Sequence, residues 1–463
     1  MELLIQIIKT LLVVFYGFGA VFSPHPAGGD FEPSPAATPG DPAQYLQISA
    51  ADEGFDTWQP VTGRGGYRYG PSMILNADGS VDLWSASNGP GDLIDLVNYK
   101  RLYDGCRKST KEVTAVKPTA EGHDQMWTCD PGVVKFGGYY YVGYTTTADS
   151  RGVDNDVCVA RSKSPQGPFT EKWTGDGWGV LPAPLVEYTG DPEQFGAGEP
   201  SFVVLGDTLY VYYSWCDERG ATTRVATADA TDENWPATLV CHGECIPPKN
   251  GGDSADVKYV DEYGRFVAVF TEKRFSDDSY VAVWESFDGL TFRPSGFVKA
   301  NTAKKLHNCG ISGRADGHIG AGDPVYLSYA YGGAGEGEWG NWATRLHEVT
   351  LSLSDAPDLD DTAVANADQE VTHRDQKLMP EVLTVKAEHQ SYTLGKDSQP
   401  LWAMAFDGEN DVFPVLSGVT YYGYDKSVIK IVGGRIWPVG PGTTRVNLRW
   451  RNFTGDFVVH VTE

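Results

Sequence analysis

The sequence predicts an all-β protein with a large repeated module followed by a small domain. Aromatic residues make up 12% of the chain and glycine occurs 54 times, a balance typical of aromatic strands joined by tight turns. The hydrophobic fraction of 41% and the charged fraction of 21% are those of globular proteins. At 463 residues the chain is also too long for one ordinary core, so we expect at least two domains.

The net charge excludes one class of partner. A formal charge of −25 would repel a phosphate backbone, so nucleic-acid binding is not expected. It would equally repel strongly anionic membranes and polyanionic glycans unless a local basic pocket offsets the field. Oligomeric state does not follow from the sequence.

The composition of the N-terminal residues indicates an export signal. Residues 3–22 are apolar apart from Gln6, Lys9 and a few small residues. We interpret residues 1–22 as a secretory signal sequence, although the length of the run also fits an uncleaved anchor. Residues 23–64 begin as a Pro/Gly/Ala-rich tether that leads into the first domain. Both alternatives predict a secreted or cell-surface protein.

Seven cysteines follow this segment, so at least one is unpaired in a monomer. Cys241 and Cys245, in CHGEC, are spaced to close a small loop. A zinc site is a weak hypothesis, because no second close Cys/His pair accompanies them. The sequence does not determine any pairing.

One unit recurs between residues 65 and 352: a small or acidic residue, a short apolar strand, a Gly or Asp turn, and an aromatic strand. A further strand follows most copies, so each unit contains several strands. Repetition at this length indicates the blades of a five-bladed β-propeller, whereas a β-sandwich with long loops would not explain the repeated order. The copies are GPSMILNADGSVDLWSAS (70–87), DPGVVKFGGYYYVGYTTT (130–147), EPSFVVLGDTLYVYYSW (199–215), DVKYVDEYGRFVAVFTE (256–272) and a looser copy at 311–332.

The character of the chain changes after the repeats. Residues 353–380 are acidic and polar and predict a linker. In residues 381–463, apolar and polar residues alternate in short runs that are separated by Gly, Asp and Asn, which predicts a small β-sandwich.

Carboxylates stand at the start of several predicted inner strands. Superposing the hairpins aligns Gly70, Asp130, Glu199 and Asp256. Inner strands of a propeller converge on one central depression, so Asp130, Glu199 and Asp256 would share a pocket. Two carboxyl groups flanking a bond are what glycoside hydrolysis requires. The alternative is that each acid merely caps a turn.

These segments resemble the five-bladed propeller glycosidases, glycoside hydrolase family 43 and its relatives in families 32, 68, 117 and 130. The resemblance is carried by WTCDPGVVKFGGYYYVGYT, VARSKSPQGPF, GEPSFVVLGDTLYVYYSW and ESFDGLTF, and it spans about residues 65–352. It implies inverting hydrolysis of arabinose- or xylose-containing glycans by a base Asp, a pKa-tuning Asp and an acid Glu.

The chain departs from that pattern in two sheets. Gly70 stands where the resemblance implies the base, and Asp256 where it implies a Glu. We therefore assign Asp130 as base, Glu199 as acid and Asp256 as the orienting partner, with Asp253 as its substitute. The order of these roles is a hypothesis.

Other side chains are candidates for contacts with the substrate. Trp127 and Trp215 would stack on a sugar or pack in the core, and Arg68 and Lys258 would bind a substrate oxygen or form ion pairs. The resemblance implies that His307 ligates a structural Ca²⁺ in the channel, although no cofactor is required for the reaction.

The C-terminal region resembles a bacterial Ig-like group 2 domain through SVIKIVGGRIWPVGPGTTRVNLRW, which implies a spacer or an adhesion module. Taken together, the sequence predicts an extracellular glycoside hydrolase acting on a polysaccharide or oligosaccharide, with attachment to a cell surface left open. One alternative is a non-catalytic glycan-binding or adhesion protein, which Gly70 favours. Another is a phosphorylase or fructan-processing enzyme, and the acidic charge argues against the phosphate pocket of a phosphorylase.

Overall fold

The computed structural model describes most of the chain. The described residues are 40–60, 66–88, 95–147, 151–249, 254–332, 341–359, 384–387, 390–395, 399–400, 403–407, 410–415, 419–432, 435–450 and 453–463. The predicted signal or anchor, most of the tether, Asp253 and much of the predicted linker lie outside them.

The all-β prediction is confirmed. Strands account for every regular element of the described residues except one 3₁₀ turn at Trp235–Thr238. Within these residues no helix is long and apolar enough to cross a membrane.

Five sheets lie within residues 45–354, and the first described strand, β1 (Tyr45–Trp58), belongs to the last of them. The first sheet comprises β2 (Arg68–Leu75), β3 (Val81–Ser87), β4 (Leu96–Tyr103), β5 (Lys108–Ser109) and β6 (Val113–Val116). The second comprises β7 (Trp127–Phe136), β8 (Tyr139–Thr147), β9 (Asp156–Ser162), β10 (Glu171–Trp173) and β11 (Trp178–Gly179).

The remaining three sheets follow the same plan. The third sheet comprises β12 (Gly196–Leu205), β13 (Thr208–Asp217), β14 (Gly220–Asp229) and β15 (Val240–Lys249). The fourth comprises β16 (Asp256–Val260), β17 (Arg265–Glu272), β18 (Tyr280–Ser286) and β19 (Arg293–Val298); the fifth has β20 (Leu306–Ile311), β22 (Val325–Tyr331), β23 (Ala343–Ser354) and β1. The short strand β21 (His318–Ile319) pairs in parallel with β16.

The five sheets form a ring. Their first strands β2, β7, β12, β16 and β20 contact one another in chain order, and β20 contacts β2. This arrangement is propeller-like, because each sheet runs outward from a strand on a common axis. Apolar side chains fill the wedges between neighbouring sheets, where Trp84, Trp235, Trp284 and Trp342 are fully buried.

The ring is closed by the two ends of this region. Strand β1, which lies within the predicted lead-in, pairs with β23 from Tyr45↔Ser354 to Trp58↔Thr344. The Leu46 amide also donates to the Glu285 carboxylate at 2.9 Å. Glu285 is in turn paired with Arg265 at 2.8 Å, both fully buried, which fixes the chain entry against the fourth sheet. The sequence missed β1 because Pro- and Gly-rich residues immediately precede it.

All seven cysteines lie in the described residues, and none forms a disulfide. Cys241 and Cys245, whose spacing would permit a small loop, both lie along β15 and form no disulfide. Four residues of extended strand span about 13 Å, well beyond the reach of a disulfide. Burial raises the pKa of Cys106 to about 12, which suppresses its reactive thiolate form.

The C-terminal residues form three further sheets. Their strands are β24 (Thr384–Ala387), β25 (Gln390–Thr393), β26 (Gln399–Pro400), β27 (Ala403–Asp407), β28 (Asn410–Val415), β29 (Val419–Tyr422), β30 (Ile429–Val432), β31 (Arg435–Pro438), β32 (Gly442–Trp450) and β33 (Phe453–Thr462). They pair as β24-β27-β28, β25-β33-β32-β29 and β26-β31-β30. Ile429, Ile436, Leu448 and Phe457 belong to their separate hydrophobic core.

Candidate active site

The inner strands of four sheets, and the segment just before β16 in the fourth, present equivalent residues to one polar pocket on the axis. Each sheet contributes one residue to a ring, and each ring residue is followed by a small or proline residue that also lines the pocket. The ring residues are Gly70, Asp130, Glu199, Ser254 and Asn308, followed by Pro71, Pro131, Pro200, Ala255 and Cys309. The pocket encloses about 30 Å³, enough for one water molecule.

Three ring residues share an unusual backbone. Gly70, Asp130 and Glu199 have φ of 58°, 45° and 52°, and each lies at a bulge in its pairing with the second strand. A left-handed conformation costs a non-glycine residue about 1–2 kcal/mol. Bulges redirect side chains and concentrate near functional sites. Here the bulge turns a carboxylate from the sheet toward the axis in the second and third sheets.

Two residues beyond the ring positions of the first, third and fourth sheets, a side chain ties neighbouring sheets together; the second and fifth sheets have Gly132 and Gly310 there. Ser72 accepts from the Val133 amide at 3.1 Å, and Ser201 from the Val257 amide at 2.9 Å. Asp256 accepts from the Ile311 amide at 2.8 Å.

Asp256 is thus the equivalent of Ser72 and Ser201, and the superposition that aligned it with Asp130 and Glu199 is wrong by two residues. Ser254 occupies the ring position of the fourth sheet, so three consecutive ring carboxylates do not occur.

Asp256 lines the pocket but is engaged in an ion pair. Lys258 Nζ lies 2.5 Å from its Oδ1, with 4% and 12% of the two side chains exposed. Ser201 Oγ donates to the same oxygen at 2.8 Å. Of the two alternatives for Lys258, contact with a substrate oxygen or an ion pair, the structure shows the ion pair, with Asp256.

Gly70 makes room for Asp130. A Cβ at residue 70 would lie 3.2 Å from both Cα and Oδ1 of Asp130 and 3.7 Å from Nδ2 of Asn308. The Gly70 amide donates to Asn308 Oδ1 at 2.8 Å. The Asp130 carboxylate of the second sheet therefore occupies the space that a side chain at residue 70 of the first sheet would need.

A second carboxyl group that the sequence did not reveal acts on the same tyrosine as Asp130. Asp95 accepts hydrogen bonds from the hydroxyls of Tyr67 and of Tyr69, the latter at 2.8 Å. Burial raises the pKa of Asp95, and the two tyrosine hydrogen bonds only partly oppose this. Burial is the main reason that the pKa of the Tyr69 hydroxyl is raised, and the charges of Asp95 and Asp130 raise it further. No motif marks Asp95, because it directly precedes an ordinary strand.

His307 does not fit a calcium ligand. Its Nδ1 lies 2.9 Å from Arg274 Nη2, and its ring stacks on Tyr69 at 5.2 Å between ring centroids. Phe275 and Trp342 pack against the other sides of the ring. Calcium requires a shell of oxygen ligands, whereas these neighbours are aromatic or cationic. The described residues contain no cluster of three or more His, Cys, Asp or Glu suited to a metal.

The other predicted substrate contacts lie elsewhere. Arg68 Nη2 pairs with Glu112 Oε1 at 2.5 Å. Trp215 is 8% exposed and packs on Tyr188 with 4.6 Å between ring centroids, so it belongs to the core. Trp127 is partly buried beside the cluster that contains Tyr69. None of these three lines the axial pocket.

Comparisons with known proteins give only distant likenesses. No family model matches the chain, and no curated protein is similar to it. An α-L-arabinofuranosidase from Podospora anserina, solved with cellotriose, is 12% identical, with 67% of this chain and 98% of that chain covered and a TM-score of 0.46. A family 117 glycoside hydrolase from Zobellia galactanivorans is 15% identical, with 69% and 92% covered and a TM-score of 0.45. Scores this low leave the assignment of function to the pocket itself.

Proposed function

We propose that the chain is a glycoside hydrolase. The observation that carries this proposal is that Asp130 and Glu199 occupy equivalent bulges of adjacent sheets and line one pocket. Two carboxyl groups on either side of a glycosidic bond are the minimum machinery of this reaction. Holding both residues in a left-handed conformation is strain that favours a functional role over turn capping.

In the proposed mechanism, Glu199 donates a proton to the glycosidic oxygen as the leaving sugar departs. Asp130 takes a proton from the water that attacks the anomeric carbon. The water-sized space between the ring residues suits this water, and the sugar ring lies at its mouth. Asp256 has a positioning role, because its ion pair and hydrogen bonds join the third, fourth and fifth sheets.

The finer assignments belong to the same proposal. We infer that the five sheets are the blades of a propeller, that the C-terminal sheets form an Ig-like spacer, and that the protein is exported. The substrate favoured by the sequence resemblance is an arabinose- or xylose-containing glycan. The absence of disulfides among the described cysteines is compatible with export, since five of the seven are buried.

The test is a pair of isosteric variants, Asp130→Asn and Glu199→Gln, assayed on aryl arabinofuranosides and xylosides and on arabinoxylan. We expect turnover to fall by about 10²–10⁴, the usual contribution of a general acid or base. The matched control is Ser254→Ala, which alters the same ring without removing a carboxyl group. Wild-type turnover in either amide variant, with unchanged melting temperature, would exclude that residue from the reaction.

A second function has a specific observation in its favour. The ring offers Gly70, Ser254 and Asn308 at three of its five positions, and Asp256 is paired with Lys258. A protein that binds glycans without cleaving them fits this reduced set of carboxylates. Binding of arabinoxylan by the wild type without release of reducing sugar would establish it.

A further inference from the structure

A second cavity, larger than the axial pocket, lies between the second sheet and the C-terminal sheets. It encloses about 580 Å³ and is lined on one side by residues that include His123, Asp156 and Glu187. Strands β30 and β31 line the other side. The volume falls within the range of about 300–1,000 Å³ that is typical of small-molecule sites. We call this cavity the interdomain cleft.

One wall of the interdomain cleft is a carboxyl cluster built around β9. Asp156 accepts from the Tyr188 amide at 2.5 Å through Oδ1, and its Oδ2 lies 2.6 Å from His123 Nε2. Glu187 makes no hydrogen bond or ion pair to any described residue. Burial, with the nearby Asp156 charge, raises the pKa of Glu187 to about 8, so its carboxyl group is protonated at neutral pH. This wall therefore offers both a donor and acceptors.

The opposite wall is one face of the β30–β31 hairpin. Lys430 is paired with Trp437 across the two strands, and Val432 with Arg435. Side chains alternate along a strand, so these four residues share the cleft face while Ile429 and Ile436 point into the C-terminal core. Trp437 is 44% exposed, which is unusual for so large an apolar side chain.

We propose that the interdomain cleft binds a segment of a neutral oligosaccharide. The indole of Trp437 offers a flat apolar face to a sugar ring, and the two walls supply donors and acceptors for its hydroxyls. Carboxylates on one wall face Lys430 and Arg435 on the other, so the cleft selects against a strongly charged ligand of either sign. The site deepens the proposed function, on which its sugar chemistry rests, by giving a polymeric chain a second point of attachment.

The test measures glycan binding and hydrolysis separately. Trp437→Ala is compared with wild type by retardation in gels that contain arabinoxylan, linear arabinan or cello-oligosaccharide conjugates. We expect roughly tenfold weaker binding of the glycan that the wild type binds best, which corresponds to ~1.4 kcal/mol. The Michaelis constant for that polymer rises in parallel, while turnover of an aryl glycoside, which fills only the axial pocket, is unchanged.

The matched control is Tyr422→Ala, because Tyr422 is 40% exposed on the same C-terminal sheets but does not line the cleft. Unchanged binding in Trp437→Ala overturns the proposal, as does a wild type that none of the three glycans retards. Failure of the proposed function has a different signature: retardation that depends on Trp437 in a protein that releases no sugar. The two outcomes are thus distinguishable.

Discussion

Exchange of Asp256 for serine tests whether this carboxylate holds the fold or takes part in chemistry. Ser72 and Ser201 occupy the equivalent positions of the first and third sheets and accept the same kind of interstrand hydrogen bond. Serine at residue 256 therefore keeps an acceptor for the Ile311 amide. What it removes is the partner of Lys258, whose side chain is only 4% exposed.

The expected cost follows from that uncompensated charge. Removing one partner of a buried ion pair destabilises a protein by about 3–5 kcal/mol. Lys258 retains a hydrogen bond to the Val257 carbonyl at 3.2 Å, which places the expected loss toward the lower end, about 3 kcal/mol. A loss of that size lowers the melting temperature of a unit of about 300 residues by roughly 5 °C, because the entropy of unfolding is about 2.1 cal/mol/K per residue.

A second substitution separates charge from packing. Val203 stands two residues after Ser201, as Lys258 stands two after Asp256. The double variant Asp256→Ser/Lys258→Val therefore reproduces the third sheet and removes the stranded charge. We expect it to recover most of the stability lost by Asp256→Ser, because replacing a buried ion pair as a unit is often nearly neutral.

Thermal unfolding and hydrolysis of an aryl glycoside are measured on all three proteins. We expect the double variant to keep turnover within about tenfold of wild type, since Asp130 and Glu199 remain. A single variant that melts like the wild type but loses all turnover would refute the structural role. A double variant less stable than the single one would refute the equivalence of the sheets.

Two further predictions concern single residues. Gly70→Ala adds a Cβ 3.2 Å from Asp130 at a φ of 58°, so we expect the free energy of unfolding to fall by about 1–2 kcal/mol and turnover to fall as well. The control is Gly79→Ala, at a φ of 80° with open space around it, which we expect to lower stability alone. Equal turnover in the two variants would contradict this. Glu187 has an ordinary pKa of 4.5 and a folded value of about 8, so between these pH values only the folded state holds the proton, and the free energy of unfolding falls as the pH rises. The Glu187→Gln variant abolishes that loss. In urea unfolding we expect its free energy of unfolding to match that of wild type near pH 4 and to exceed it by about 2 kcal/mol near pH 9. This is less than half of the ~5 kcal/mol that the full pKa shift would give, because the carboxyl group lines an open cleft. A constant difference across this range would contradict it.

The sequence allowed the ring residues of the axial pocket to be predicted in the sheets where a proline follows the ring position. Asp130 and Glu199 each precede a proline, as Gly70 does, and all three fall at matching bulges. In the fourth sheet Ala255 replaces the proline, and an acid, Asp256, begins the apolar strand two residues after the ring position. A shift of two residues leaves every side chain on the same face of a strand, so alternation cannot detect it. Only the hydrogen bonds between neighbouring sheets reveal the shift.

Features that depend on distant packing were out of reach of the sequence. Asp95 is a site candidate because it accepts from Tyr69 and because its charge, like that of Asp130, acts on this tyrosine, and its own segment carries no repeat. The interdomain cleft joins Glu187 to Trp437, which are 250 residues apart. No local pattern indicates that these two surfaces meet.

Closure of the ring by β1 has a consequence for biosynthesis. Residues 45–58 leave the ribosome before the other strands of the ring, yet their partners in β23 end at Ser354, so the last sheet stays incomplete until some three hundred residues more have been translated. During that interval the unmatched strand exposes backbone groups that invite intermolecular pairing. Trimming of the N-terminus beyond Tyr45 would instead expose β23 in the folded protein, because it would remove the edge strand that pairs with it.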